Sequence, residues 1–360
     1  MTAELKKIET KVGRGERLSP DDAMIMFESD DLLAIGELAA SVNHRRNGDQ
    51  VYFNVNRHIN YTNICVNQCT FCAFHRKSED QDGSYTLALQ EIQQRAQQAS
   101  ESGATEIHMV GGLHPELPFD FYPQMLKTIK AADPALHIKA FTAVEIDYFA
   151  KLTNLPVSDL VSTLRQAGLD SLPGGGAEIF APAVRQQICP EKISGERWLE
   201  IMETVHRIGL KTNATMLFGH IESFQDRVDH LTRLRDLQDR TGGFQAFIPL
   251  PFQPENSKLM NARGAGGIDS LKTLAISRLY LDNFRHLKAY WVMLGLKVAQ
   301  VALCFGVNDL DGTVVEEKIG HEAGATSPQE LGRAQLVALI RAAGKIAVER
   351  DTLYRTVRAG

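Results

Sequence analysis

Hydrophobic positions along the chain change period repeatedly. Short runs rich in β-branched and aromatic residues are separated by longer stretches whose apolar residues recur every three to four positions. The short runs predict strands at 51–63, 106–110, 137–144, 171–172, 212–218, 245–248, 287–293 and 302–305. Between them the helical period predicts helices at 87–100, 121–132, 158–167, 195–208, 223–241 and 268–283. Ser19-Pro20-Asp21-Asp22 is a helix start, and an apolar-periodic stretch follows it to about His44. A last helix at 328–343 and the tail beyond it are expected to seal one side. Eight strand–helix repeats point to an α/β chain whose parallel sheet closes into a (β/α)8 barrel of the TIM type. No Pro-, Gly- or Ser-rich linker divides it. The expected organisation is a helical N-terminal extension at 1–50, the barrel at 51–327 and a C-terminal helical segment at 328–360.

In such barrels the chemistry collects at the C-terminal ends of the strands. Unusual loops fall there repeatedly: Gly111-Gly112-Leu113-His114-Pro115 after the second strand, Thr142-Ala143-Val144-Glu145 at the end of the third, Pro173-Gly174-Gly175-Gly176-Ala177-Glu178 after the fourth. Gly219-His220-Ile221-Glu222 follows the fifth, and Pro251-Phe252-Gln253-Pro254-Glu255-Asn256 the sixth. Turn chemistry alone does not demand so many special loops on one face.

The loop after the first strand carries Cys65, Cys69 and Cys72, spaced C-x-x-x-C-x-x-C, with Phe71 just before the last. Three thiolates on one short loop can hold three irons of a 4Fe-4S cluster and leave the fourth iron open. An open iron can chelate the amine and carboxylate of S-adenosylmethionine (SAM), which is how radical enzymes hold and reduce it. The competing reading is a structural zinc site with His75 as fourth ligand, since closed zinc sites take four protein ligands. Cys189 and Cys304 lie far away and outside any C-x-x-C pair, and five cysteines in 360 residues is too sparse for a disulfide scaffold.

Alternation along the first strand places Asn56, His58, Asn60 and Thr62 on one face, expected to point into the barrel, and Val55, Arg57, Ile59 and Tyr61 on the other. His58 is either a satisfied core histidine or a catalytic one. The Gly111-Gly112 pair lets backbone approach a ligand, and its carbonyls can accept from the SAM amino group. Pro173–Glu178 lacks the G-K-[ST] ending of a phosphate loop, and Glu178 suits ribose hydroxyls.

Composition narrows the rest. A net charge of −5 gives no basic field, so nucleic acid is not an expected partner. The polar stretch 1–22, with Lys6, Lys7, Lys11, Arg14 and Arg17, is no signal peptide, and no apolar run reaches the ~18 residues a membrane span needs. A soluble, cytoplasmic protein is expected, where thiols stay reduced.

Together, Arg57-His58-Ile59-Asn60-Tyr61-Thr62-Asn63-Ile64-Cys65 with Cys69 and Cys72, Gly111–Pro115, Ala140–Glu145, Leu172–Glu178 and Pro249–Asn256 resemble the radical SAM enzymes of the menaquinone pathway over roughly 51–352. That group includes aminofutalosine synthases and dehypoxanthine futalosine cyclases, with deazaflavin synthase subunits as cousins. Gly112–Phe119 and Asp309–Ile319 resemble the aminofutalosine synthase family in particular. Thr215–Glu222 is similar to the G-x-I-x-G-x-x-E element that packs adenine, with Thr and Leu in place of the first Gly and the Ile. The resemblance implies a radical SAM barrel. In it Cys65, Cys69 and Cys72 hold the cluster, and Phe71, Gly111, Gly112, Thr142, Glu145, Glu178 and Glu222 surround SAM. It implies a transferase that adds the 5′-deoxyadenosyl radical to the enol-ether double bond of 3-[(1-carboxyvinyl)oxy]benzoate. Loss of the carboxylate then gives 6-amino-6-deoxyfutalosine, so SAM is a co-substrate. A flavodoxin or ferredoxin would supply electrons. The cyclase, a hydrogen-abstracting enzyme, is the second implied activity. Two carboxylates on the substrate call for cations or imidazoles in the cavity. The candidates are His58, His220, Arg57 and Arg285, with Asn60 beside them; His220 and His58 are the expected catalytic pair.

Overall fold

The computed structural model describes residues 2–260 and 262–359. Three helices, Ala3–Gly13, Pro20–Glu28 and Leu32–Asn47, precede the first strand. Ser19 and Asp22 close a capping box at the second, so the Ser-Pro-Asp-Asp run is a helix start for a physical reason. The preface packs on the barrel helices Phe224–Thr241 and Gly267–Tyr280 and shares their core.

The segment 51–63, expected to be one strand, is two. β1 (Gln50–Asn54) and β2 (Asn56–Ile59) belong to different sheets. Seven parallel strands run in sequence order from β2 through β3 (Glu106–Met109), β4 (His137–Ala140), β5 (Ser171–Leu172), β6 (Lys211–Phe218) and β7 (Phe244–Pro251) to β8 (His286–Leu287). The expected eighth strand at 302–305 is not a strand, because the helix Leu296–Ala302 ends there in a turn. The closing place is taken instead by 309–315: Asp309 bridges to Lys288 at one edge and Val315 to Arg57 at the other, both parallel. Likewise 287–293 is strand only at its start, and Trp291–Leu294 is a helical turn. Helix Ala143–Thr153, with Thr142 as N-cap, begins inside the run read as the third strand.

The C-terminal segment is not all helical. Helix Arg333–Ala342 leads into β10 (Ile346–Arg350) and β11 (Thr356–Ala359), which join β1 and β9 (Asp309–Gly312) in a second sheet of order β11-β10-β1-β9. This sheet covers the open side of the curled seven-stranded sheet. Among the described residues no helix is long and apolar enough to cross a membrane.

Inward positions of the barrel strands are unusually polar. Glu106 and His108 of β3, Lys139 of β4, Asn213 and Thr215 of β6, and Lys288 just after β8 alternate with outward apolar residues. The charges pair: Lys139 Nζ lies 2.6 Å from Glu106, Arg350 lies 2.8 Å from Asp309, and Lys288 holds Asp311. Buried charges persist only when paired in this way.

Candidate active site

The cysteine loop is seated by backbone bonds to three other segments. Cys65 N–H donates to the Arg76 carbonyl (2.9 Å), Val66 N–H to Leu113 (3.0 Å), Thr70 N–H to Ile188 (2.9 Å), and Lys258 N–H to Thr70 (2.7 Å). Arg76 Nη1 donates to the carbonyls of Ala73 (2.9 Å) and Phe74 (3.2 Å) and so fixes the far end of the loop. Cys65, Cys69 and Cys72 are free thiols, and all three line a cavity of about 300 Å³ at the C-terminal ends of the strands.

The donor set fits a cluster better than a zinc ion. Among the described residues no three His, Cys, Asp or Glu side chains gather around a single point, as one zinc ion would require. A cubane spreads its irons, and this loop supplies one thiolate for each of three of them, leaving the fourth iron open. His75, the expected fourth zinc ligand, places Nδ1 2.7 Å from the Cys72 carbonyl, while Cys189 and Cys304 do not line the cavity. Burial pushes the thiols up, Cys69 to about 12, and the Lys192 ammonium draws all three back. Lys192 Nζ sits 5.0 Å from the centre of the Phe71 ring and is salt-bridged to Glu178.

Of the residues singled out from the sequence, the structure brings His58, Phe71, Gly111, Gly112, Thr142, Glu145 and Glu178 to the cavity wall with the cysteines. Several do a different job from the one expected. A Cβ at Gly111 would stand 2.6 Å from the Tyr61 ring, and one at Gly112 only 2.1 Å from the Ile64 carbonyl oxygen. These glycines let two loops close on each other, beyond any need of a ligand. Glu145 has no free oxygen: Oε1 accepts from Tyr61 Oη (2.6 Å) and Gly111 N–H (3.2 Å), and Oε2 from Thr142 N–H (2.7 Å). Its carboxyl, raised by burial and lowered by those donors, ties the Gly111 loop to the Thr142 N-cap. Glu178 is likewise committed, to Lys192, so the expected ribose contact competes with an ion pair.

Five of the expected site residues lie off the cavity wall. His220 does not reach the cavity. Its Nδ1 accepts from Ile221 N–H (2.8 Å), its Nε2 donates to the Leu217 carbonyl (3.1 Å), and no nitrogen is left for a substrate. Glu222 is turned behind the same bend, where it accepts from Gly219 N–H (2.6 Å), His220 N–H (2.9 Å) and Arg227 Nε (2.8 Å). Gly219, at φ +86, makes that bend possible. Arg57 lies on the outward face that alternation requires and is clamped by Glu316 at 2.7 and 3.1 Å. Arg285 lines a separate cavity with His137, Lys211 and His286, at the N-terminal ends of the strands and so at the opposite mouth. Asn60 is inward and buried, donating to the Val110 carbonyl (2.9 Å), but it does not line the cavity. Replacing His220 by alanine should therefore lower stability by about 1–3 kcal/mol, the cost of unpaired buried groups. The distribution of products per active enzyme should not change, which thermal unfolding beside a product assay would check.

Sequence reading gave no site role to Lys192, His108, Asn213, Tyr290, Asp311 and Glu317, all of which line the cavity, as does Thr215 of the adenine-like element. Alternation was signal enough for His108, Asn213 and Thr215, since each is a polar residue at an inward place in an apolar strand. Lys192 sits in the loop between helices Pro182–Ile188 and Gly195–Arg207, where no periodicity marks it.

Comparison with known proteins agrees with this geometry. Residues 59–234 match the radical SAM superfamily, and 241–359 match the CofH/MqnC C-terminal region. The chain is 46% identical to the aminodeoxyfutalosine synthase of Thermus thermophilus, over 98% of its own length and 95% of that protein. It is 47% identical to the aminodeoxyfutalosine synthase of Streptomyces coelicolor, over 99% and 95%. Among solved structures, the FeFe-hydrogenase maturase HydG from Carboxydothermus hydrogenoformans superposes with a TM-score of 0.75 at 18% identity, covering 98% of this chain and 81% of that one, which shows a shared fold.

Proposed function

The chain belongs to the radical SAM superfamily, within its aminodeoxyfutalosine synthase family, and from that premise we propose that it joins the 5′-deoxyadenosyl group of SAM to 3-[(1-carboxyvinyl)oxy]benzoate. The carboxylate of the enolpyruvyl arm is lost, and 6-amino-6-deoxyfutalosine is released for menaquinone biosynthesis. One observation carries this reading: the loop with three free thiols opens on a buried cavity in a chain that matches aminodeoxyfutalosine synthases from end to end.

Cys65, Cys69 and Cys72 would hold the 4Fe-4S cluster, with SAM beside it. Bound and reduced by a donor such as flavodoxin or ferredoxin in the cytoplasm, the pair supplies a primary alkyl radical. The chain's own residues then bind, orient and exclude water. Gly111 and Gly112 line the cavity, and backbone carbonyls of such a loop would suit the SAM amino group. Ile248, Leu250 and Met293 give an apolar wall suited to a benzoate ring, and Tyr290 closes the same side. Burial of this kind keeps spare hydrogen donors away from a reactive carbon and holds the partners in near-attack geometry.

The test is anaerobic. Reconstituted protein, a reductant, SAM and the enolpyruvyl benzoate are expected to give an adduct that retains the adenosyl group, read by mass spectrometry. Free 5′-deoxyadenosine in stoichiometric yield from dehypoxanthine futalosine, with no adduct, would place the chain with the cyclases instead.

A further inference from the structure

The carboxylates around the floor of the cavity already have cations. Lys139 lies 2.6 Å from Glu106, and Lys288 holds Asp311. His321 Nδ1 is 3.1 Å from Glu317, a contact that pushes its imidazole up to about 9 and keeps it charged at neutral pH. Among the described residues that line the cavity, Lys192 is the single lysine or arginine, and Glu178 takes it. These pairs sum to no net charge. A substrate carboxylate entering here finds no uncommitted cation.

What it does find is imidazoles: His75 is held in the cysteine loop with Nδ1 on the Cys72 carbonyl, which leaves two on the strands. His58 of β2 and His108 of β3 are register partners, and their rings are stacked 4.4 Å apart at 5°. Both line the cavity. His58 Nε2, on a residue 5% exposed, has no hydrogen-bond partner among the described residues, and neither does Glu106 Oε1, 4.0 Å from His108 Nδ1. Unpaired polar atoms at such a depth call for a ligand, an ion or water.

We propose that the His58–His108 pair is the seat of a substrate carboxylate, and that one proton joins the pair when that carboxylate enters. This rests on the reading above, in which the substrate brings two carboxylates. The proton comes from solvent, and no bond of the substrate changes. It completes a row of alternating charge: substrate carboxylate, the imidazole pair, then Glu106. Rings 4.4 Å apart exclude a second proton by like-charge repulsion.

The surroundings set the direction of the effect. His58 is faced by Glu317, Asp311, Glu106 and Lys139, and His108 by His58, Lys139, Glu106 and Asp311. Burial dominates and pushes both imidazoles below their ordinary value, so the pair is neutral in the free enzyme at neutral pH. An added carboxylate favours the charged form and raises the pair. Between the free and the raised values binding takes up a proton, so Kd should rise about tenfold per pH unit across that window and level off below it.

The probe is 3-methoxybenzoate, with uncharged 3-methoxybenzyl alcohol as control, titrated calorimetrically into anaerobic holoenzyme with SAM. Running it in phosphate and in Tris, which differ in ionisation heat, counts protons. The acid should take up about one proton near pH 7.5 and the alcohol none. His58→Gln keeps a donor but cannot titrate, so it should bind the acid more weakly with uptake reduced or lost. Wild-type binding of the acid without uptake, no binding at millimolar concentration, or full uptake in a His58→Gln/His108→Gln double variant would overturn the proposal. Should the variants fail to fold, the wild-type comparison of acid with alcohol still decides. Product formation by the same preparation tests the proposed reaction separately, so the two can fail independently.

Discussion

Replacing Cys72 by serine is expected to abolish both the brown colour and the product. A hydroxyl is a poor iron ligand, and a cubane held at two corners has no protein ligand on a third iron. Loss of a group that only orients a metal ligand costs about 10–100-fold. Loss of a ligand itself should exceed that, so product formation should fall by at least about 10³-fold. Among the described residues no replacement is poised at that corner: His75 Nδ1 is turned to the Cys72 carbonyl, and Cys189, though near enough to act on the Cys69 thiol, does not line the cavity, nor does Cys304. Broad absorption near ~400 nm and bound iron, measured after anaerobic reconstitution, should drop with activity. Cys304→Ser is the control, because Cys304 is exposed and away from the site, and it should keep both. A Cys72→Ser protein with full iron and full turnover would remove the cluster from this loop.

The second large effect is on stability. Lys139→Met should cost about 3–5 kcal/mol, the range for removing one partner of a buried ion pair. Glu106 is fully buried, and Lys139 Nζ at 2.6 Å and Thr352 Oγ1 at 2.7 Å are its donors. Burial raises the Glu106 carboxyl, but the Lys139 ammonium, with Lys288 behind it, holds it well below the usual carboxylate range. In the wild type this contribution is present above the unfolded carboxylate value and is lost as pH falls through the depressed one. In Lys139→Met the uncompensated carboxyl rises and takes a proton instead. The difference in stability between variant and wild type should thus shrink from about pH 8 to about pH 5, as read by thermal or urea unfolding. Adding Glu106→Gln should recover much of the loss, since it removes the stranded charge. A uniform deficit at every pH would mean the loss is one of packing alone.

How much of this was legible in the chain varies with the range of the interactions involved. The barrel was legible because each strand and helix carries its own period, and the special loops fall where parallel strands end. The cysteine motif was legible because its ligands are local. Where the reading failed, the deciding contact lies far off in sequence. Residues 302–305 are apolar enough for a strand, yet the closing place goes to 309–315, whose backbone meets Lys288 on one side and Arg57 on the other. The tail was read as helical, but β10 exists because β1, about 300 residues earlier, offers it an edge. His220 and Glu222 sit in a motif-like loop after a strand, and only the turn at Gly219 shows that both face away from the cavity.

The chain by itself determined the kind of chemistry. Three thiols within eight residues, and inward polar positions on apolar strands, are short-range facts that no packing alters. Tertiary structure alone decided which charges remain free. Arg57, Glu145, Glu178 and His220 are all reactive groups by composition, and each is spent on a partner that folding brings to it. The stacked imidazoles of His58 and His108 are left over from that pairing. The reason is that a buried polar group must be satisfied, and its partner comes from the three-dimensional neighbourhood, which local period cannot specify.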